Sequence, residues 1–220
     1  MLVLNAKHRL LVIGMFALGI GATAPTAWAA TPITISASPY TITASGGYIL
    51  AKNLTAVGSC ITIAAPGGGN VVEAVAIDLQ GHSITGNGTG DGIGCGQGPP
   101  VATSCNNIII ANGTVTQFSR GVFLTGNFNT VTSMTVTKST GAGTNGDGIE
   151  VDASITEPLN IVKNSLSNGN AGIGIAVGGA SDVVTTVIDS TANNNGADGI
   201  GAYTVRRTIM EAPASQAQGL

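Results

Sequence analysis

Five glycine–aliphatic steps recur along the chain: Gly92-Ile93, Gly121-Val122, Gly148-Ile149, Gly172-Ile173 and Gly199-Ile200, separated by 29, 27, 24 and 27 residues. No other feature restricts the fold as tightly, because a near-constant period of this length marks a repeat architecture. Between the steps lie short runs of aliphatic and small polar residues: Val75-Ala76-Ile77-Asp78, Ile108-Ile109-Ile110, Val131-Thr132 and Asn160-Ile161-Val162. A third element follows as Ser83-Ile84-Thr85, Thr114-Val115-Thr116, Thr135-Val136-Thr137 and Ser165-Leu166-Ser167. Each repeat therefore reads as short strands joined by Gly, Asn and Asp turns, with alternation turning one face of each strand inward. A single repeat cannot bury its Ile and Val. Stacked repeats can, because equivalent aliphatics line up about 4.8 Å apart and close a continuous core. A β-sandwich would show turn signals at roughly 8–12-residue spacing instead. The expected fold is all-β: a parallel β-helix, or β-solenoid, with about six coils of roughly 27 residues.

Composition agrees. Charged residues make up 9% of the chain and aromatics 4%, while 33 residues are Gly. Helix bundles and coiled coils need helix formers that Gly, Thr and Asn displace here. Charge-driven disorder is excluded by a hydrophobic fraction of 43% and a mean hydropathy of +0.37. Gly and Asn suit the unusual backbone angles that the corners of a coil demand.

The segment Asp78-Leu79-Gln80-Gly81-His82-Ser83-Ile84-Thr85-Gly86, followed by Asn106-Asn107-Ile108-Ile109-Ile110-Ala111-Asn112-Gly113-Thr114-Val115, resembles the right-handed parallel β-helix repeat proteins. These include the pectate-lyase-like superfamily and the periplasmic NosD-like proteins. The resemblance runs roughly from Tyr40 to Tyr203. It implies a right-handed coil, but no one activity, because the superfamily holds lyases, hydrolases, epimerases, adhesins and uncharacterised exported proteins. The sequence lacks the Arg-x-Pro-x-x-Arg of the pectate lyases, the Asn-Thr-Asp, Asp-Asp and Gly-His-Gly set of the polygalacturonases, and the Asp-Pro-His-Glu of the alginate epimerases. Gly-x-Ser-x-Gly is also missing.

Residues 1–29 read as a signal peptide. Lys7, His8 and Arg9 precede an apolar run of 13 residues, Leu10 to Ala22, and Ala27-Trp28-Ala29 supplies the small-x-small cleavage pattern. The run is shorter than the roughly 18 residues of a membrane span. The expected location is secreted or periplasmic, with no membrane span in the mature chain. Residues 30–45 are expected to form an N-terminal strand or cap, 46–203 the β-helix and 204–220 an irregular tail. The loss of period after Tyr203 suggests either a truncated chain or an uncapped C-terminal coil through which oligomers form.

Without the signal, six basic residues (Lys52, Arg120, Lys138, Lys163, Arg206, Arg207) face eleven acidic ones. That is not the basic footprint of a nucleic-acid binder. Cys95 and Cys105 bracket a Gly/Pro-rich loop and are expected to pair, with Cys60 as the alternative partner.

The residues preceding the recurring glycines form a column: Asp91, Arg120, Asp147, Ala171, Asp198. In register, Asp91 and Asp147 would lie about 9–10 Å apart with Arg120 between them. Glu150 and Asp152 share a coil with Asp147. Asp91, Asp147, Glu150 and Asp152 are therefore the candidate catalytic carboxylates, with Arg120 and Asp198 as candidate binding residues. Such a set could serve acid/base hydrolysis or, as an oxygen cluster, calcium. Asp before Gly is also an ordinary turn preference, and an Arg between two Asp neutralises stacked like charges. His82 is the one histidine of the mature chain and reads as architectural. Two functions remain: an exported non-catalytic β-helix, structural or weakly carbohydrate-binding through Thr- and Asn-rich outer faces, or a polysaccharide-active lyase, hydrolase or epimerase, or its remnant.

Overall fold

The computed structural model describes residues 31–64, 71–95, 104–153, 159–178 and 184–202. The expected signal peptide and the 204–220 tail lie outside the described residues. The strands are β1 (Ile33–Ile35), β2 (Tyr40–Ile42), β3 (Gly46–Leu50), β4 (Leu54–Thr55), β5 (Ile61–Ile63), β6 (Val71–Asp78), β7 (Ser83–Thr85), β8 (Asp91–Cys95), β9 (Ser104–Thr116), β10 (Arg120–Thr125), β11 (Thr130–Thr137), β12 (Ile149–Asp152), β13 (Leu159–Lys163), β14 (Leu166–Asn168), β15 (Ile175–Gly178), β16 (Val184–Ile188), β17 (Thr191–Asn193) and β18 (Ile200–Ala202). They form a parallel β-helix with three faces. The first face is β1, β3, β6, β9, β11, β13, β16; the second runs β4, β7, then the C-terminal halves of β9 and β11, then β14, β17; the third is β2, β5, β8, β10, β12, β15, β18. Residues 31–45, read from sequence as a strand or cap, contribute β1 and β2, which pair in parallel with β3 and β5. Among the described residues no helix is long and apolar enough to cross a membrane.

The corners explain the Asn content. Ala74, Asn107 and Phe128 lead into the first face with φ of 56–60°; Asn112, Ser133, Asn164 and Asp189 separate the first face from the second at 46–60°; Gln117, Lys138 and Asn194 leave the second at 52–60°. Asn adopts this left-handed region more readily than other non-glycine residues. Except at Gly113, the residue after each of these turns in, and in the later coils these residues and Asn160 cap the preceding coil. Asn129 and Asn160 accept from the N–H of Ile108 and Asn129 at 2.9 and 2.8 Å; Ser165 and Ser190 from Met134 and Ser165 at 3.3 and 3.2 Å; Asn170 and Asn195 from Ser139 and Asn170, both at 3.0 Å. Buried N–H groups that strand pairing cannot reach are satisfied in this way.

The recurring glycines form one column for a steric reason. A Cβ on Gly92 would meet the carbonyl oxygen of Gly121 at 2.7 Å, and a Cβ on Gly148 that of Gly174 at the same distance; the Gly121 position faces Gly148, and Gly174 faces Gly199. Each glycine thus leaves room for the next coil's backbone. The fourth member is Gly174-Ile175, not Gly172-Ile173, because Ile149 pairs with Ile175 and Ile175 with Ile200. Local Gly-Ile spacing could not separate these two candidates. A one-residue difference also occurs in the third element. Leu166 pairs with Thr135 and Ser167 with Val136, so Leu166 faces out and Ser167 in. Ser167 Oγ donates to the Gly174 carbonyl and accepts from Asn170 Nδ2. A slip of one residue reverses every face of a strand.

The core is a stack of fully buried aliphatics, among them Ile61, Ile93, Val122, Ile149 and Ile175 on the third face, with Phe118 its largest member. Cys95 and Cys105 form a disulfide, Cα atoms 6.3 Å apart. Such a bond fits an oxidising compartment. Cys60 is free and buried, and burial, partly opposed by a Ser38 hydrogen bond, pushes its thiol up to about 11.

Candidate functional site

The glycine column sets the geometry on the third face. In-register pairing puts Arg120 beside Asp91, and Phe123 opposite Gly94 on one side and Glu150 on the other. Gly94 lacks a side chain, so the Asp91 carboxyl occupies the space above it. The Arg120 guanidinium folds over the next rung in the same way, its Cζ 3.5 Å from the centre of the Phe123 ring.

From there Arg120 spans three coils. Its Nε and Nη2 donate to Asp91 Oδ1 and Oδ2 at 3.1 and 3.2 Å, and its Nη1 donates to Glu150 Oε2 at 2.9 Å. Asp91, Arg120 and Glu150 are only 8%, 6% and 7% exposed. Asp147 is 1% exposed; its Oδ1 accepts the Ile173 N–H at 2.7 Å, and its Oδ2 is buried with no hydrogen-bond partner. Asp152 follows Glu150 by two residues, hence on the same side of β12, half-buried and in register with Thr125 of β10.

One guanidinium thus bonds two carboxylates, Asp91 and Glu150, and its charge reaches two more, Asp147 and Asp152. Burial raises the Glu150 carboxyl to about 7, against the lowering effect of Arg120. Burial also raises Asp147 and Asp152, although the Ile173 N–H and Arg120 respectively pull them down. For Arg120, burial opposes the charge, but Asp91 and Glu150 hold its pKa above the ordinary value.

Five of the residues expected from the sequence therefore meet: Asp91, Arg120, Asp147, Glu150 and Asp152. Asp198 does not. The shift of register at Gly174 puts Ile173 in the place assigned to Ala171, between Asp147 and Asp198, and Asp198 is exposed. The sequence reading passed over Phe123. Its signal was an aromatic three residues after an Arg on a strand that turns both outward. Among the described residues no group of three His, Cys, Asp or Glu side chains is placed to hold a metal ion. His82 is half-buried at a turn, its carbonyl accepting the Thr114 N–H at 3.1 Å.

A second surface lies on the second face. Ser83, Thr114, Thr135, Leu166 and Thr191 form one outward row; Thr55, Thr85, Thr116, Thr137, Asn168 and Asn193 form the next. Buried Ile84, Val115 and Val136 lie between the rows. Thr137 and Thr116 are joined hydroxyl to hydroxyl at 3.0 Å.

Comparison with protein-family models, with curated proteins and with solved structures finds no match for this chain.

Proposed function

We propose that the chain is an exported, non-catalytic parallel β-helix that binds an extended, uncharged polysaccharide along its second face. The observation that carries this reading is the pair of outward hydroxyl and amide rows, Ser83-Thr114-Thr135 and Thr85-Thr116-Thr137-Asn168-Asn193. Successive coils rise about 4.8 Å, close to the advance of a linear polymer of six-membered sugar rings by one ring. Each hydroxyl donates and accepts, so a row of them can follow sugar hydroxyls without a charged partner. Without aromatic stacking the affinity should be weak. The acidic cluster supports the lack of turnover. Arg120 occupies Asp91 and Glu150 in a nearly solvent-free setting, leaving no exposed acid and base astride a bond. Export rests on the 1–29 signal pattern, and kinship with the pectate-lyase-like and NosD-like proteins on the repeat signature.

The test is a glycan array followed by titration of the hits. Expected is salt-insensitive binding of a neutral polymer, weakened at least tenfold by Thr116→Val with Thr137→Val, with no product released. Loss of the reading follows if no neutral glycan binds, or if the double variant binds as well as the parent.

One observation favours the enzyme reading: Glu150 titrates near neutrality beside Asp152, as a general acid of a polysaccharide hydrolase or lyase would. It requires measurable glycan turnover that Glu150→Gln abolishes.

A further inference from the structure

The two outward rows of the second face change character at β14. In β7, β9 and β11 each coil offers a hydroxyl in both rows: Ser83 and Thr85, Thr114 and Thr116, Thr135 and Thr137. At β14 the pair becomes Leu166 and Asn168. The one-residue slip that turns Ser167 inward sets Leu166 on the outside, 37% exposed, in line with Thr135 and Thr191. Neither residue is what the stability of the coil would select. An outward Leu forgoes the burial that an inward one gains, and Asn suits a strand less well than Thr. Asn168 Oδ1 is moreover shielded from water and has no hydrogen-bond partner among the described residues. A buried acceptor without a donor costs the fold free energy, and native structures rarely keep one.

These two side chains together match one chemical group. They stand two residues apart on one side of the strand, about 6.7 Å along it. Leu166 offers an apolar contact, and the Asn168 amide offers two donors and an acceptor. An acetamido group carries the complement: a methyl for Leu166, an N–H for Oδ1 and a carbonyl for Nδ2. A sugar hydroxyl would use the amide and leave Leu166 bare, and a methyl ether would cover Leu166 and leave the amide half paired. No residue of either row is charged, so the face complements a neutral occupant. Turning the amide outward breaks no hydrogen bond of Oδ1.

We propose that Leu166 and Asn168 form a subsite for the acetamido group of an N-acetylhexosamine, and that the polymer of the second face is an N-acetylated, β-1,4-linked chain. The inference rests on the polysaccharide reading of that face and names its substrate class. Equatorial linkages keep such a chain straight, as a ladder of stacked coils demands. They also turn alternate rings over, so a single subsite in the run meets an acetamido group without needing one on every coil.

The experiment is calorimetric titration of the full disulfide-bonded chain with two hexamers, one of β-1,4-linked N-acetylglucosamine and one of β-1,4-linked glucose. The parent should bind the acetylated hexamer on the order of tenfold more tightly. Leu166→Thr with Asn168→Thr, which copies the hydroxyl pair of the preceding coil, should bring the two hexamers to within about twofold of each other. Equal binding of both by the parent overturns the proposal and leaves the polysaccharide reading standing; this comparison needs no variant. A folded double variant that keeps the preference overturns it as well. If neither hexamer nor any other neutral glycan binds, the polysaccharide reading itself fails and the subsite falls with it.

Discussion

The two ends of the coil stack solve the same problem differently. Up to Phe118 the inward corner positions are apolar: Val75 and Ile108 at the entry to the first face, and Phe118 at the exit of the second. Beyond it those two positions carry Asn129, Asn160, Ser139 and Asn170, and the corner between the first and second faces carries Met134, then Ser165 and Ser190, all buried. The backbone path barely changes, since the left-handed corner residues continue in column from Gln117 to Lys138 and from Asn112 to Asn164. A parallel coil can thus be held by packing or by side-chain caps on the previous coil's N–H groups. Packing tolerates small shifts along the axis, whereas a cap fixes one residue of one coil to one residue of the next.

The comparison can be broken from either side. Phe118→Ala attacks the packed half. The ring is 0% exposed and fills the space beside Gly86 and Gly92, so its loss should destabilise by about 4 kcal/mol, read from the urea midpoint. Asn160→Ala attacks the capped half. It strips the Asn129 N–H of its acceptor and the Gly126 carbonyl of its donor, at about 3 kcal/mol if both groups stay buried. An effect below about 1 kcal/mol would mean that water replaces the cap. Reducing the Cys95–Cys105 bond, which closes a 10-residue separation in the packed half, should remove about 2–3 kcal/mol while leaving Cys60 unreactive until unfolding. Ser165→Ala, which deletes a single cap on Met134, should cause the smallest loss, about 1 kcal/mol.

The comparison also shows where sequence reading holds and where it fails. In the packed half, Gly92 and Gly121 lie in register as their spacing implied, because aliphatic rungs and the glycine column repeat together. In the capped half, two assignments shifted: Gly174 replaces Gly172, and Leu166 faces out where Ser165-Leu166-Ser167 had implied that it faced in. Asn and Ser give no hydrophobic alternation from which to read a register. The site divides similarly. Asp91, Arg120 and Asp147 were legible as neighbours because they precede successive members of the column. Glu150 and Asp152 were expected on the coil of Asp147; that Arg120 bonds Glu150 depends on its bending over Phe123, a matter of side-chain direction across three coils.

What the residues determined by themselves is the architecture: the repeat length, the strand composition and the glycines of the earlier close approaches, Gly92, Gly121 and Gly148. These are local or strictly periodic properties, and a period survives without knowledge of contacts. The tertiary structure alone decided the register of the later coils, the exclusion of Asp198, and the choice of Asp91 and Glu150 as the carboxylates that Arg120 bonds. Those depend on hydrogen bonds between residues about a coil apart, whose partners are chosen only when the coils stack.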